Sequence, residues 1–408
     1  MRRLVVCIFS LGLATLPTAS QNITTFAGTG NHGFSGDDAS AVKAQIDTAY
    51  GVAVDGKGDV FIADTRNHRI RMVSNGTIST VAGTGTAGFS GDYGPGTKAQ
   101  LSFPHAVAVD SYGNLYISDT GNSRIRKLSA SGTITTIAGT GTAGYSGDGG
   151  SATDAQLSYP RGLALDSTGN LYVADSWNFV VREITPSGGI STAVGNGSCG
   201  PYGDGGSATE ASLGLIDGIA FDAHGNLFLS DAWQHTIRKV SNGTISTVVG
   251  GGFGAAASGV TAANATLRFP KGLAVDGQNN LLVADSLNHC VRKVVPGSTV
   301  STVAGSGVAG YSGDNGPATS AELDSPYALG QAQQGLYISD LWNYRVREMQ
   351  SGGASCGCDV NGDGAVNIAD VQLIIDQVLG LSPVTCGSPT IADVQIVINA
   401  VLGLGCAR

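Results

Sequence analysis

The stretch GVAVDGKGDVFIADTRNHRIRMVSNGTISTVAG, from Gly51 to Gly83, decides the fold, because it returns five more times along the chain. An aspartate marks each copy, and successive copies lie 54 to 56 residues apart. The marking aspartates are Asp64, Asp119, Asp175, Asp231, Asp285 and Asp340. A fixed period of this length indicates a repeat architecture in which each copy is one supersecondary unit.

Each copy has the pattern of four strands. Gly51–Asp55 and Val60–Asp64 predict the first two strands, Arg69–Val73 predicts the third, and Thr77–Gly83 predicts the fourth. The dipeptide Asn75-Gly76 predicts a type I′ hairpin turn, because both of its central positions need positive φ. Four antiparallel strands per copy form one blade of a β-propeller. The sequence therefore predicts an all-β, six-bladed propeller of four-stranded antiparallel blades.

The two ends of the repeat array predict that the propeller closes into a ring. The fourth-strand phrase already appears as ITTFAG at Ile23–Gly28, before any complete copy, and it is missing after the sixth copy. A strand from the N-terminus would complete the last blade and cover an otherwise exposed sheet edge.

Residues 21–349 resemble NHL repeats, through the alternation of GLAVD, LYVAD and N-x-x-(I/V)-R with a Gly-rich connection. The resemblance implies a propeller of a kind that mostly binds partners, with only a minority of enzymes among its relatives. The sixth copy departs from the pattern, and we assign Gly330 to the position of its first aspartate.

Composition narrows the class of protein. The 408 residues include 62 glycines, only 13% are charged, and the formal net charge is −9. Many glycines disfavour helices and supply turns. The chain has no basic stripe that could neutralise phosphates, so a nucleic-acid partner is not expected.

Residues 1–20 are predicted to be a bacterial-type signal peptide. Arg2 and Arg3 precede an apolar run from Leu4 to Leu16, and small residues follow. This run is too short to span a membrane, and no later segment is long enough either. We therefore expect a secreted, extracytoplasmic protein.

Residues 350–357 are predicted to be a linker, and residues 358–406 a small α-helical module with a calcium loop. Oxygen-bearing groups follow the spacing of an EF-hand loop, in which calcium takes six to eight oxygen ligands around a sharp turn at Gly364. The expected Ca2+ ligands are Asp359, Asn361, Asp363, the carbonyl of Ala365, Asn367 (directly or through water) and Asp370. The alternative interpretation is a solvated Asn/Asp/Gly turn.

The run NIADVQLIIDQVLGL is followed by TIADVQIVINAVLGL, and the pair resembles the dockerin family over about 47 residues. That resemblance implies two calcium loops and helices that dock onto a cohesin partner. The second copy has lost its carboxylates, so one calcium ion is expected. Ile368-Ala369 and Ile391-Ala392 replace the polar residues usual in cellulosomal dockerins, which argues against cohesin binding. A disulfide is expected among Cys356, Cys358, Cys386 and Cys406, with its pairing undecided.

Residues that recur in every blade are predicted to be structural, because an active site in a ring needs asymmetry. The strand-ending aspartates and the arginines of the Arg71 set belong to this group. The six histidines are taken to lie in different repeat registers, and no catalytic histidine motif appears.

Tryptophan supplies the asymmetry that a binding site needs. All three tryptophans share one register, between the second and third strands, and aromatic residues follow two of them. The candidate ligand-binding residues are Trp177, Phe179, Trp233, Trp342 and Tyr344. Exposed aromatic rings stack on sugars or anchor peptides, although packing against a neighbouring loop would also explain them.

Two functions follow from these features. The leading hypothesis is a secreted, non-catalytic binding or scaffold protein that holds a protein or glycan on one propeller face. The alternative is an extracellular hydrolase or lyase, directed at a polysaccharide or lactone, that uses the central channel. Such an enzyme would resemble the gluconolactonase-like hydrolases, which are six-bladed propellers. In that family, Glu, Asn and Asp residues that do not repeat from blade to blade bind a metal ion in the central channel. Only Glu183, Glu210 and Glu322 precede residue 330 in this chain, which weakens the alternative.

Overall fold

Six antiparallel sheets surround a central channel, one for each repeat. The computed structural model describes residues 21–350, apart from residues 253, 255–257, 296 and 298. The first strands of neighbouring blades pack side by side around the whole ring, and the first strand of blade six packs on that of blade one. The molecule over this range is a six-bladed β-propeller, as the repeats predict.

Each blade has four strands, which follow one another from the channel outwards. In that order, the strands of blade one are Ala49–Val54, Val60–Asp64, Arg69–Ser74 and Thr77–Ala82, and those of blade two are Pro104–Val109, Leu115–Asp119, Arg124–Leu128 and Thr133–Ala138. The strands of blade three are Pro160–Leu165, Leu171–Asp175, Val180–Ile184 and Ile190–Val194, and those of blade four are Ile216–Phe221, Leu227–Asp231, Thr236–Ser241 and Thr244–Val249. The strands of blade five are Pro270–Val275, Leu281–Asp285, Cys290–Val294 and Val300–Ala304, and those of blade six are Pro326–Gln331, Gly335–Asp340, Arg345–Gln350 and Asn22–Ala27.

Short elements fill the connections. Two-residue strands at Ala39–Ser40, Gly94–Pro95 and Gly316–Pro317 add an outer edge to blades one, two and six. Single 3-10 turns lie in the connections between blades at Ala41–Lys43, Gly96–Lys98, Ala152–Asp154, Ala208–Glu210, Ala262–Asn264 and Ala318–Ser320. Others link the second and third strands at Thr65–Asn67, Thr120–Asn122, Ser176–Asn178, Ser286–Asn288 and Leu341–Asn343. Within the described residues there is no α-helix, and none that could cross a membrane.

The N-terminal strand closes the ring as predicted. Asn22–Ala27 pairs antiparallel with Arg345–Gln350, with Ile23 opposite Met349. The other edge of the same strand pairs with Gly316–Pro317. Ile23 is fully buried in a cluster that joins blades five and six. The fourth strand of the last blade therefore comes from the other end of the array.

The hairpin and strand predictions hold in detail. Asn75 and Gly76 have φ values of 48° and 76°, as the type I′ turn requires. The assignment of Gly330 is wrong, because Ala332 occupies the position of the first aspartate. Its amide donates to the carbonyl of Gly335 at 2.9 Å, whereas Asp55 makes the equivalent bond to Asp59. The turn between the first and second strands of blade six is one residue shorter than in the other blades, so counting along the sequence gives the wrong position for the first aspartate.

The repeated aspartates and arginines form a buried network inside each blade. Arg71 is fully buried, and its guanidinium lies 3.4 Å from Asp64 and 2.7 Å from Asp37 of the incoming loop. Asp64 also accepts hydrogen bonds from the amide of Asp47 and the side chain of Asn67, both at 2.8 Å. Burial raises the pKa of Asp64 to about 6 despite these partners. Such a network, repeated with small changes, fixes blade geometry.

Candidate functional site

The predicted tryptophan register lies on the face that also carries the connections between blades. In blade one, the side chain of Asn67 from the turn donates to the carbonyl of Gly33 in the incoming connection, at 2.7 Å. The amide of Trp177 likewise donates to the carbonyl of Ser158, just before the first strand of its blade. We call this side of the propeller the mouth face.

The tryptophan side chains are half exposed on the mouth face. Trp177, Trp233 and Trp342 are 53%, 45% and 42% exposed. Phe179 and Tyr344, two residues after tryptophans, have φ values of 56° and 51° and end their 3-10 turns. An aromatic side chain in this left-handed region is uncommon. The turns therefore present several rings to solvent at a cost in backbone strain.

Four rings of blades three and four form two close aromatic pairs, which together we call the aromatic crescent. The rings of Tyr159 and Trp177 have centroids 5.2 Å apart, and those of Phe179 and Trp233 are 5.9 Å apart. Tyr159 is itself exposed. Trp342 lies elsewhere on the ring, with the guanidinium of Arg66 5.9 Å from its ring centroid. Trp177 and Trp233 thus each pack on another aromatic ring of the mouth face, whereas Trp342 lies outside the crescent.

The aromatic residues of the inter-blade loops have a different role. The ring of Phe34 lies 4.1 Å from the guanidinium of Arg69 and 4.8 Å from that of Arg71. Phe89 and Tyr311 cover the matching arginines of blades two and six. Cation–π contact of this kind shields a buried network, so these loop rings serve packing. Phe253 lies outside the described residues.

Three histidines share a register, so the expectation that all six differ is wrong. His68, His235 and His289 each follow the marking aspartate by four residues, the position that holds Phe179 in blade three. Their Nδ1 atoms accept hydrogen bonds from the amides of the next blade, at 3.1 Å, 3.1 Å and 3.2 Å. Each histidine therefore braces one blade against its neighbour.

A polar cluster that sequence reasoning missed fills the channel at the mouth face. Each blade contributes the second residue of its first strand. We call these six residues the channel-mouth cluster: Tyr50, His105, Arg161, Asp217, Lys271 and Tyr327. They occupy one structural position but differ in chemistry, so the cluster breaks the six-fold repetition.

Asp217 is the centre of the channel-mouth cluster. One carboxylate oxygen accepts from the guanidinium of Arg161 and, at 3.0 Å, from the hydroxyl of Tyr327. The other oxygen accepts from the ammonium of Lys271 at 2.5 Å. Both oxygens of this carboxylate are therefore engaged by donors from three other blades.

His105 and Tyr50 complete the cluster. Nε2 of His105 lies 3.1 Å from the hydroxyl of Tyr327. Because that hydroxyl donates to Asp217, His105 donates in turn through Nε2–H. The ring of Tyr50 stacks on that of His105, with centroids 4.9 Å apart and planes 7° apart. A hydrogen-bonded chain thus runs from His105 through Tyr327 to Asp217.

Burial and charge set the protonation of the cluster. Desolvation, aided by the positive charge of Arg161, lowers the pKa of His105 to about 3. Burial alone would raise the pKa of Asp217, but attraction to Lys271 and Arg161 outweighs it and holds that pKa well below its usual value. Burial raises the pKa of Tyr327 well above its usual value. At neutral pH the cluster holds a neutral imidazole, one carboxylate and two cations.

Below the cluster the channel is narrow. An open cavity of about 70 Å³ lies there, lined by Tyr50, His105, Asp217 and Tyr327 of the cluster and by glycines and apolar residues of the first strands. That space can hold a few water molecules but not a sugar ring. A ligand of any size must therefore bind above the cluster, on the mouth face.

The donor set of the channel does not fit a divalent cation. Asp217 is the one carboxylate in the cluster, and it is bonded to two cations and a hydroxyl. Divalent metal sites need several free oxygen or nitrogen donors. Across residues 21–350, as far as they are described, no group of three or more His, Cys, Asp or Glu residues is placed to hold a metal ion.

The predicted calcium ligands, the four C-terminal cysteines, the linker beyond residue 350 and the signal peptide lie outside the described residues. Their assignment stays a prediction.

The cluster had a signal in the sequence. Its residues stand immediately before each GLAVD-like phrase, where the letters change from copy to copy while their neighbours repeat. A variable position on the innermost strand of every blade is where a propeller can build one asymmetric site.

Family models match parts of the chain. The model described as NHL repeat matches residues 50–71, 101–128 and 267–294, and the model described as Teneurin NHL domain matches residues 141–200. Human teneurin-4 is 27% identical in an alignment 332 residues long, which covers 71% of this chain and 12% of teneurin-4. Bovine NHL repeat-containing protein 2 is 28% identical in an alignment 325 residues long, which covers 70% of this chain and 44% of that protein. The chain thus matches less than half the length of either relative.

Solved structures share the fold. An auxiliary nutrient binding protein from Bacteroides ovatus superposes with a TM-score of 0.59 at 15% identity, covering 80% of this chain and 76% of that one. At this identity the likeness concerns the fold alone. Together with the repeat matches and the closed ring, it leads to one conclusion: the chain carries NHL repeats that build a six-bladed β-propeller.

Proposed function

We propose that the protein is a secreted, non-catalytic binding protein whose propeller holds a protein or glycan ligand on the mouth face. The observation that carries this proposal is the aromatic crescent of Tyr159, Trp177, Phe179 and Trp233. Large exposed rings gathered on one face of a protein mark a contact surface, because a single exposed ring needs no explanation but a group of them does. Tryptophan and tyrosine are also the residues most often found as binding anchors.

The comparisons are compatible with a binding role. One neighbour is named an auxiliary nutrient binding protein, and it shares the propeller architecture. The repeat array of this chain also resembles NHL propellers, most of which bind partners.

The alternative of a channel hydrolase or lyase finds less support in the geometry. A general base needs a lone pair that can reach the substrate. Both carboxylate oxygens of Asp217 in the channel-mouth cluster already accept hydrogen bonds, from Arg161, Lys271 and Tyr327. The cluster therefore resembles a charged platform more than an acid–base pair.

We further propose that residues 358–406 bind one Ca2+ ion through the loop that begins at Asp359, and that this module joins the propeller to another protein or caps the chain. The spacing of oxygen-bearing residues supports the metal. The missing polar residues at the loop ends make a cohesin a weak candidate for the partner.

The binding proposal is tested by substitution of the crescent. We expect Trp177→Ala and Trp233→Ala each to weaken binding by about 1–3 kcal/mol, the usual effect of removing an aromatic anchor. Trp342→Ala should cost less, because that ring lies outside the crescent. The full chain is first probed on a glycan and secreted-protein array, and each variant is then measured by calorimetry with the ligand found.

The matched control is Tyr112→Ala. Tyr112 is 84% exposed, but it lies on the turn between first and second strands, at the opposite face. Its removal should leave affinity unchanged. If the tryptophan variants bind as well as wild type and lose only stability, the rings are loop packing and the site lies elsewhere.

A further inference from the structure

The channel-mouth cluster has an unbalanced charge. Arg161 and Lys271 supply two positive charges, and Asp217 supplies the one negative charge that contacts them. His105 is neutral at physiological pH. The other charged groups acting on the cluster are Arg66 and Asp47, which lie near Tyr50 and have opposite signs. A net positive charge held in a mostly buried site favours an anion beside it.

Solvent reaches the cations but not the carboxylate. The side chains of Arg161 and Lys271 are 20% and 15% exposed, whereas that of Asp217 is fully buried. Asp217 thus holds both cations in place, while part of each cation side chain stays accessible to solvent. An incoming anion meets two donors whose positions are already set.

Aromatic residues lie close to both cations, along the chain for Arg161 and by ring contact for Lys271. Tyr159, which packs on Trp177, precedes Arg161 by two residues. The ammonium of Lys271 lies 6.0 Å from the ring centroid of Phe269 and 5.3 Å from that of Tyr327. A ligand held at this point would meet a flat apolar surface and a positive charge side by side.

We propose that the channel-mouth cluster binds the carboxylate of an acidic sugar, so that the ligand of the mouth face is a glycan containing uronic acid. A uronate ring offers C–H groups that stack on Tyr159 and Trp177, together with a carboxylate for Arg161 and Lys271. An acidic peptide would satisfy the cations, but among its residues only proline would offer a saturated ring to the crescent. This inference rests on the proposed function, since it names the ligand class of the same face.

The test uses the full chain and matched pairs of oligosaccharides. Oligomers of galacturonate, mannuronate, guluronate and glucuronate are each compared with their methyl esters, which keep the ring and remove the charge. For at least one pair, calorimetry should show the acid binding about tenfold or more tighter than its ester, because a charge-assisted contact is lost in the ester. Added salt should narrow that difference.

A charge series separates recognition from a purely structural role. Lys271→Gln lowers the net charge of the cluster to zero and should weaken uronate binding about fivefold or more. Asp217→Asn raises that charge to two and should tighten uronate binding. Neither change should alter binding of the methyl ester. The control is Lys57→Gln, because Lys57 is exposed on the opposite face. This substitution should change the binding of neither the uronate nor its methyl ester.

The outcomes are distinct. Equal binding of acid and ester overturns the carboxylate site and leaves the mouth face as a binding surface. Binding of acidic peptides on the array, with no uronate bound, overturns the sugar assignment. Weaker glycan binding in Trp177→Ala, together with a preference for the acid over the ester in wild type, supports both proposals. Failure of every array ligand overturns both. If Asp217→Asn does not fold, Lys271→Gln replaces it as the test. In Lys271→Gln, Asp217 still has Arg161 and Tyr327 as partners, and the ratio of acid to ester affinity in this variant then tests the carboxylate site.

Discussion

Arg71 and its five counterparts show what a repeated residue does in this molecule. All six are buried, and five of them pair with the aspartate that ends the second strand of their own blade. Five also reach an aspartate in the incoming connection. A buried charge that lost its partner would cost about 3–5 kcal/mol. The same network in nearly every blade therefore fixes each connection onto its strands.

His105 shows the opposite case, an unrepeated residue whose burial has a measurable consequence. The unfolded chain binds a proton at this imidazole near pH 6.5, whereas burial lowers the pKa in the folded protein to about 3. Between these values the unfolded state binds more protons, so stability falls as the pH falls. We expect His105→Gln to remove about 3 kcal/mol of the stability that the wild type loses between pH 7 and pH 4.

The measurement is urea unfolding of wild type and variant at pH values from 7 down to 4, within the range where both fold. His224→Gln is the control, since its side chain is 70% exposed. Buried aspartates titrate in both proteins and cancel in the difference. Parallel stability curves for wild type and His105→Gln would show that this histidine binds its proton as readily in the folded state as in the unfolded state.

At the scale of the element, hydrophobic alternation and turn dipeptides predict the strands closely. Val60–Asp64 is predicted and observed with the same bounds, and the other strands of blade one differ by one or two residues. The reason is physical: strand periodicity, Asn-Gly turns and buried aspartates are local signals. The channel-mouth cluster is not local. Its six residues are brought together only by the closed ring, so no window of sequence shows that Asp217 meets Lys271 and Arg161.

The histidine register was missed for a related reason. His68, His235 and His289 share their position with Ser123, Phe179 and Tyr344, so residue type alone conceals the repeat. What the six positions share is the left-handed backbone, with φ between 50° and 58°. That conformation ends the turn and does not depend on one side chain.

Glycine in the innermost strands limits the width of the channel. A Cβ atom on Gly51 would lie 2.7 Å from the carbonyl oxygen of His105 and 2.8 Å from the Cα of Ala106, both backbone atoms of the next blade. Neither can move without shifting a strand. We expect Gly51→Ala to lower the free energy of unfolding by about 1–3 kcal/mol, as overpacking does.

Gly56→Ala is the matched control for Gly51→Ala. A Cβ atom there meets nothing within 4 Å, and the residue does not have a positive φ. The free energy of unfolding of Gly56→Ala should stay within about 0.5 kcal/mol of the wild-type value. Chemical denaturation of the two variants gives the comparison. Equal stability of both would mean that the inner strands can separate freely and that the channel is not held at its present width.

At the scale of the whole molecule, the proposed calcium module and the propeller should behave as separate units. Calorimetric titration of the full chain is expected to show one calcium site, because the second loop has lost its carboxylates. Asp359→Ala combined with Asp363→Ala should abolish that binding and leave the thermal unfolding of the propeller unchanged. Two sites of similar affinity would show that the degenerate loop still binds metal.

The last prediction concerns closure of the ring. Removing residues 21–30 takes away the outer strand of blade six and exposes the edge of Arg345–Gln350, together with the buried side chains around Ile23. An unpaired edge is a template for association with another chain. We expect the truncated protein to aggregate or to melt at a much lower temperature, as followed by circular dichroism and light scattering. A chain that begins at Gln21 is the control and should keep the full melting temperature of the propeller. If the protein without residues 21–30 stays monomeric and melts with that control, five complete blades and an open sixth are enough for stability. In that case the pairing of the two ends would not be what holds the ring.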